Sequence, residues 1–302
     1  MTHTIKIYGK NIVGHFHING GGFVADTARV DATAFVDKEA CVLDNAQVSG
    51  NAKIFGDALV YDNTYIADDA RVSGNAKVFG EAKVYGNAHV LDNSKVSGSS
   101  QIYGNAKVFN DAIIYGSAQI FGNAQVFGSA QVSLYAQVLG DAQVFGYAQV
   151  NGNARVYDNA KVYGTVKVLE NAWVFGNAEV FGNAWLCGNT EVFENAKIFE
   201  NAKVLGKSQV YGNAKVLDNA WICGNALVYD DAYVYGNAEV FENARLYGKT
   251  NIFGNAQVYG NAWISDNAMV YGDALVFGDA MVSSNAKVSG NAKVSGNDWI
   301  RQ

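Results

Sequence analysis

Apolar and polar residues alternate along this chain in a six-residue cycle that never slips. From Val24 onward every sixth residue up to Ile300 is Val, Ile or Leu. Two positions before each stands a small residue. It is Ala almost throughout, with Thr64, Ser94, Ser100, Val166, Thr190, Ser208 and Thr250 as the main variants and Asp298 as a break in the last unit. Residues 75–80, Asn-Ala-Lys-Val-Phe-Gly, show the unit. Side chains two apart on a strand point to the same face, so the Ala and the aliphatic share one face. The other face takes Lys, Gln or Glu and then Phe, Tyr, Leu or Ser. Lysine does not line an interior, so the Ala and Val must. The Gly-Asn or Asp-Asn pair that closes each unit supplies a corner, because Gly and Asn tolerate the left-handed backbone region. Each unit reads as four residues of strand and two of turn.

No six-residue unit buries its own apolar face; the next coil stacked upon it does so. The pattern predicts an all-β fold, a single-stranded parallel β-helix or β-solenoid over residues 23–302, as one domain without a linker. Residues 1–22 precede it. There Ile5-Lys6-Ile7-Tyr8 and Ile12-Val13 are expected to fold over the first coil as a cap. Pro is absent, so no strand loses a backbone donor, and the abundant Gly sits at corners. Each core Val contributes roughly 1.5–3 kcal/mol of burial before the entropy of ordering is counted.

The aromatic residues set the number of sides, because stacked residues share an environment. The residue after each core aliphatic is Ser97, Tyr115, Ser133, Asn151, Leu169, Cys187, Leu205 and Cys223 on one 18-residue phase, and the other two phases are mostly aromatic over the same stretch. One ladder runs Phe109, Phe127, Phe145, Tyr163, Phe181, Phe199; another runs Tyr157, Phe175, Phe193, Tyr211, Tyr229, Tyr247. A 12-residue phase shows no such split. Three hexapeptides therefore make an 18-residue coil, and 15–16 coils at about 4.8 Å each give a rod on the order of 75 Å.

At these residues the chain resembles the hexapeptide-repeat, left-handed β-helix superfamily, and within it the YdcK-like group, whose units read Y-G-N/D-A-x-V; Gly21-Gly22-Phe23-Val24 matches the lead-in of that group. The resemblance covers about nine-tenths of the chain. It implies a left-handed coil, which periodicity alone does not. It is specific for architecture and unspecific for activity. In the acyltransferases of the superfamily Gly usually follows the aliphatic directly, whereas here an aromatic intervenes, as in Val78-Phe79-Gly80.

That resemblance brings an acyltransferase reading, with a His as general base and loops that break the repeat to build a coenzyme A site. This repeat has no inserted loop. Its one His, His89, sits outward, one coil from Arg71 and Lys107, with no carboxylate to orient it. His15 and His17 fall in the capping segment. A γ-carbonic-anhydrase zinc site needs three His, and Cys41, Cys187 and Cys223 make no ligand set, so neither a metal nor another cofactor is expected. Gly206-Lys207-Ser208 and Gly248-Lys249-Thr250 lack the upstream Gly of a phosphate loop and stand at strand corners.

What remains is surface. Most of the 22 basic residues occupy the outward position just before the core aliphatic, and the acidic residues sit mostly at corners. Aromatic stripes with lysines resemble single-strand nucleic-acid platforms, but a net charge of −6 speaks against that partner. The ladders stabilise the solenoid itself, or mark contact surfaces, or both. The third side carries Trp185 and Trp221 and is a candidate for packing against another subunit. Leu134 and Tyr135 replace Gly-Asn at one corner, near Ser133, with Ser117 and Ser99 one and two coils away; Tyr147 replaces Asn at a neighbouring corner. The C-terminal Trp299 and Ile300 lie almost in register and offer a strand edge.

The expected function is non-enzymatic: a structural protein that assembles with itself or with a larger protein partner, end to end or face to face. A hexapeptide acyltransferase using His89 and a carbohydrate- or surface-binding module using the ladders stand as alternatives. The start of the chain lacks the pattern of a signal peptide, and no apolar run approaches a membrane span. A cytoplasmic location, or release in a particle without a cleaved signal, is expected.

Overall fold

The computed structural model describes residues 2–7 and 9–301; Tyr8, read above as part of the cap, lies outside them, as do Met1 and Gln302. The chain divides into two compact units, Met1–Tyr147 and Ala148–Gln302.

Each unit is a parallel β-solenoid. In the first, Tyr65–Ile66 pairs in parallel with Gln47–Val48 on one side and Lys83–Val84 on the other. In the second, Trp221–Ile222 lies between Lys203–Gly206 and Glu239–Val240 in the same way. Partners are 18 residues apart, so three hexapeptides make one coil, and the chain makes about 16 coils. Successive strands belong in turn to three sheets, one for each side of the coil.

Most strands of the repeat are shorter than the expected four residues. Most are two long, such as Lys77–Val78, and a few reach four, among them Trp185–Gly188 and Lys203–Gly206. The reason is geometric: a hexapeptide must both run along a side and turn, so the chain leaves extended geometry one residue after the aliphatic. The backbone bonds to the next coil nevertheless continue. Phe79 N–H donates to the Val96 carbonyl at 3.0 Å and Asn75 N–H to the Asp92 carbonyl at 2.7 Å.

The first turn residue adopts the left-handed region at every regular corner. Where it is not Gly it is usually acidic, as at Asp62 (φ 61°), Glu194 (φ 58°) and Asp230 (φ 57°). These carboxylates do more than decorate an edge. Asp62 accepts the Gly80 amide at 2.9 Å, Glu194 the Gly212 amide at 2.9 Å and Asp230 the Gly248 amide at 3.1 Å. Each thus satisfies a backbone donor of the following coil with a charge-assisted bond.

The second turn residue builds a ladder of its own. Along one edge of the second unit Nδ2 of Asn183, Asn201, Asn219 and Asn237 each donates to Oδ1 of the Asn one coil on, at 3.0–3.2 Å. The relay ends at Asp273, which accepts from Asn255 at 2.9 Å and has no amide with which to continue.

Inside, the Ala and aliphatic positions are fully buried along nearly the whole repeat. Serine at the Ala position is accommodated: Ser94, Ser100 and Ser208 each donate to the carbonyl three residues back at 2.6–2.8 Å. Threonine is not. The hydroxyls of Thr64, Thr190 and Thr250 are buried without a partner. Val166 already occupies the same position and is fully buried, so the site accepts valine. Thr190→Val is therefore expected to raise stability by about 1–2 kcal/mol, read as an upward shift of the urea midpoint.

At the N-terminus β1 (His3–Ile7) and β2 (Lys10–Phe16) form an antiparallel hairpin, and β2 pairs antiparallel with β3 (Phe23–Ala25), the first strand of the repeat. Ile5, Ile7 and Ile12 pack on the outward residues Phe23, Leu43 and Leu59 of the first coils. Gly14 permits the approach, since a Cβ there would lie 2.2 Å from the Val24 carbonyl oxygen.

Candidate functional site

The candidate chemical residues come first. His89 pairs in its sheet with Arg71 before it and Lys107 after it. Partial burial and then these two cations hold its pKa below the ordinary imidazole value. As pH falls, the unfolded chain takes up this proton first, so folding stability is lost below about pH 6.5. Gln occupies the same row at Gln125 and Gln143. His89→Gln is expected to flatten the stability profile between about pH 7 and 5, measured as urea midpoints across that range.

His17 is buried and its Nε2 donates to the Ala34 carbonyl at 3.0 Å, while His15 lies 3.5 Å from Asp26. Cys41, Cys187 and Cys223 are free thiols, and burial first, then nearby acidic groups, raise the pKa of each. Ser208 and Thr250 face inward, away from any phosphate. Among the described residues no His, Cys and carboxylate cluster could hold a metal ion, and no helix is long and apolar enough to cross a membrane.

The ring ladders form in both units. In the first, Phe109, Phe127 and Phe145 stack at 4.8 and 4.7 Å; in the second, Tyr163, Phe181 and Phe199 stack at 5.1 and 4.8 Å. The six rings from Tyr157 through Phe175, Phe193, Tyr211 and Tyr229 to Tyr247 stack at 4.7–5.3 Å with planes within 9° of parallel. Ring faces therefore meet one another, and each of these residues is only half-exposed. Burial in the stack is the first cause that raises the phenol pKa of Tyr157, Tyr211 and Tyr229. Further ladders, Tyr85–Tyr103–Phe121, Tyr235–Phe253–Tyr271 and Phe241–Tyr259–Phe277, lie partly or wholly beyond the stretch that sequence reasoning compared.

Within the repeat the most exposed large apolar side chains are elsewhere. Tyr147 and Tyr135 are 68% and 67% exposed, Trp299 62% and Leu134 49%. Leu134 takes the left-handed conformation (φ 57°) that its corner requires, which costs a branched side chain energy that an Asp or Gly would not incur. Tyr135 and Tyr147 stand in the turn position that Asn fills elsewhere. Ile300 is half-buried, in parallel register with Val282.

All five tryptophans (Trp173, Trp185, Trp221, Trp263 and Trp299) occupy the outward position before a core aliphatic. Trp185 and Trp221 are two coils apart with Lys203 between them, and Trp263 and Trp299 are two coils apart with Met281 between them. Trp263 and Met281, also exposed, were missed in the sequence; the repeated two-coil spacing was the signal. Where the six-ring ladder stops at Tyr247, Ser265 and Ser283 follow, and a cleft of about 280 Å³ opens beside Trp263 and Trp299. Trp263 meets Tyr247 edge-on at 6.4 Å, and Trp299 Nε1 donates to Ser283 Oγ at 3.2 Å. A second cleft, about 530 Å³, lies beside Tyr65, Lys83 and Tyr85 in the first unit.

Three stretches, residues 100–116, 118–133 and 262–276, match the family described as YdcK Beta solenoid repeat. No curated protein matches the chain significantly.

Proposed function

We propose that this YdcK-like β-solenoid repeat protein is an assembly protein, which associates with copies of itself through its outward faces. The observation that carries the reading is the placement of large apolar side chains. Trp185, Trp221, Trp263 and Trp299, with Tyr135 and Tyr147 at the corners, stand exposed, whereas most other outward rings of the repeat are tucked into ladders. Exposed aromatic groups grouped on flat, regular faces are what contact surfaces use, because their burial releases hydration at low entropic cost. The regular backbone adds to this: a face repeated every coil presents the same spacing to a partner over its length, and weak contacts sum.

Sedimentation equilibrium over a wide concentration range tests the proposal. Masses that rise above the 32.3 kDa chain with concentration are the expected result. A single 32.3 kDa species at every concentration and salt would remove the reading.

A further inference from the structure

One face of the second unit carries a pattern that is complementary to itself. Its outward row runs Gln149, Lys167, Trp185, Lys203, Trp221, Glu239, each residue paired in register with the next. The neighbouring outward row alternates in step: Leu169 beside Lys167, Cys187 beside Trp185, Leu205 beside Lys203, Cys223 beside Trp221. Bulky indoles stand next to small thiols, and lysines next to leucines. Trp185 and Trp221 are 40% and 41% exposed. Lys167 Nζ lies 5.8 Å from the Trp185 ring centroid and Lys203 Nζ 5.6 Å from that of Trp221, so the ring faces look along the stacking direction.

The two indoles are two coils apart, about 9.6 Å. Ring ladders elsewhere in this unit stack at 4.7–5.3 Å. Lys203 stands in the coil between Trp185 and Trp221, so indole and cation alternate along the row at the one-coil spacing of those ladders.

We infer that this face zips antiparallel onto the same face of a second copy, each copy's tryptophans set opposite the other's lysines. The inference rests on the proposed self-association and names its partner and register. A two-fold axis along the strand direction, midway between the coils of Trp185 and Lys203, keeps each row opposite itself and reverses the coil order. Trp185 then meets the partner's Lys203, and Lys167 meets the partner's Trp221. Glu239 meets the partner's Gln149. No like charges are opposed, and every lysine gains a second indole, a cation–π contact that strengthens when desolvated. Four indoles from alternating copies then follow one another at one-coil spacing, the repeat that the ring ladders already use. Leu205 packs over the partner's Cys187, so the bulky-small alternation closes as well. A parallel arrangement would instead set two lysine rows side by side.

Light scattering coupled to size exclusion tests this on three proteins. The unaltered chain is expected to associate. Trp185→Lys sets a lysine against the partner's Lys203 and is expected to weaken association at least tenfold. The exchange variant Trp185→Lys/Lys203→Trp restores an indole opposite each lysine in the antiparallel register alone, and is expected to recover it. Both residue types already occupy this outward row, so far-UV circular dichroism should be unchanged in both variants. Association that is indifferent to Trp185→Lys, or that the exchange fails to recover, overturns the zipper while leaving self-association through another face. An unaltered chain that never associates overturns both.

Discussion

Gly188→Ala is expected to cost about 2–5 kcal/mol of stability, a large loss for a single methyl group added at a corner of the coil. Gly188 has φ 96°, well outside the 52–61° that all non-glycine turn residues adopt. A Cβ there would lie 2.4 Å from the Gly206 carbonyl oxygen, with backbone on every near side, so nothing flexible can yield. Gly188 and Gly206 pair within the four-residue strands Trp185–Gly188 and Lys203–Gly206, which hold the coil spacing at this corner. The contrast is Gly56→Asp. Gly56 has φ 58°, its nearest neighbour would be 3.3 Å from a Cβ, and aspartates occupy the equivalent turn position at Asp92 and Asp218 with φ near 58°. That change is expected to shift stability by less than about 1 kcal/mol. Urea unfolding followed by far-UV circular dichroism measures both; equal midpoints for the two variants would mean that the turn geometry is not limiting.

Phe193→Ala is expected to cost about 2–3 kcal/mol, from two stacked pairs and the burial of half a ring. Phe193 lies between Phe175 at 4.8 Å and Tyr211 at 4.7 Å, both nearly parallel. Removing it splits the six-ring ladder into runs of two and three. Phe193→Leu keeps much of the buried area and is expected to lose about half as much. The same urea series decides whether the ladders hold the solenoid together. If Phe193→Ala leaves stability unchanged, the rings serve contacts outside the chain instead.

The coil was legible in the sequence because one constraint repeats without interruption. Every Ala and Val is a vote for the same register, and aromatic content alone separated three sides from two. The local geometry was less legible. Strand length depends on where the chain begins to turn, and six residues leave room for only two in regular pairing on both sides. The acidic corners looked like a charged edge; nothing in composition says that Asp62 or Glu194 reaches the amide of the next coil, because that contact is between residues 18 apart. Exposure was the harder quantity. Phe181 and Trp185 are both outward aromatics in the sequence, yet Phe181 lies in a stack with Tyr163 and Phe199 while Trp185 stands beside Cys187 and remains open. What distinguishes them is the bulk of the neighbouring row and the side chains one coil away. The candidate surface therefore shifts from the ladders toward the tryptophans and the irregular corners.

The intrinsic fluorescence of this protein reports directly on that surface, since all five tryptophans are outward and none is in the core. Emission spectra recorded from nanomolar to high micromolar concentration test the central claim most directly. Burial of the faces between copies predicts an emission maximum that moves to shorter wavelength as concentration rises, in step with the increase in mass. An emission maximum that stays at the wavelength of water-exposed indole across the whole range would contradict it.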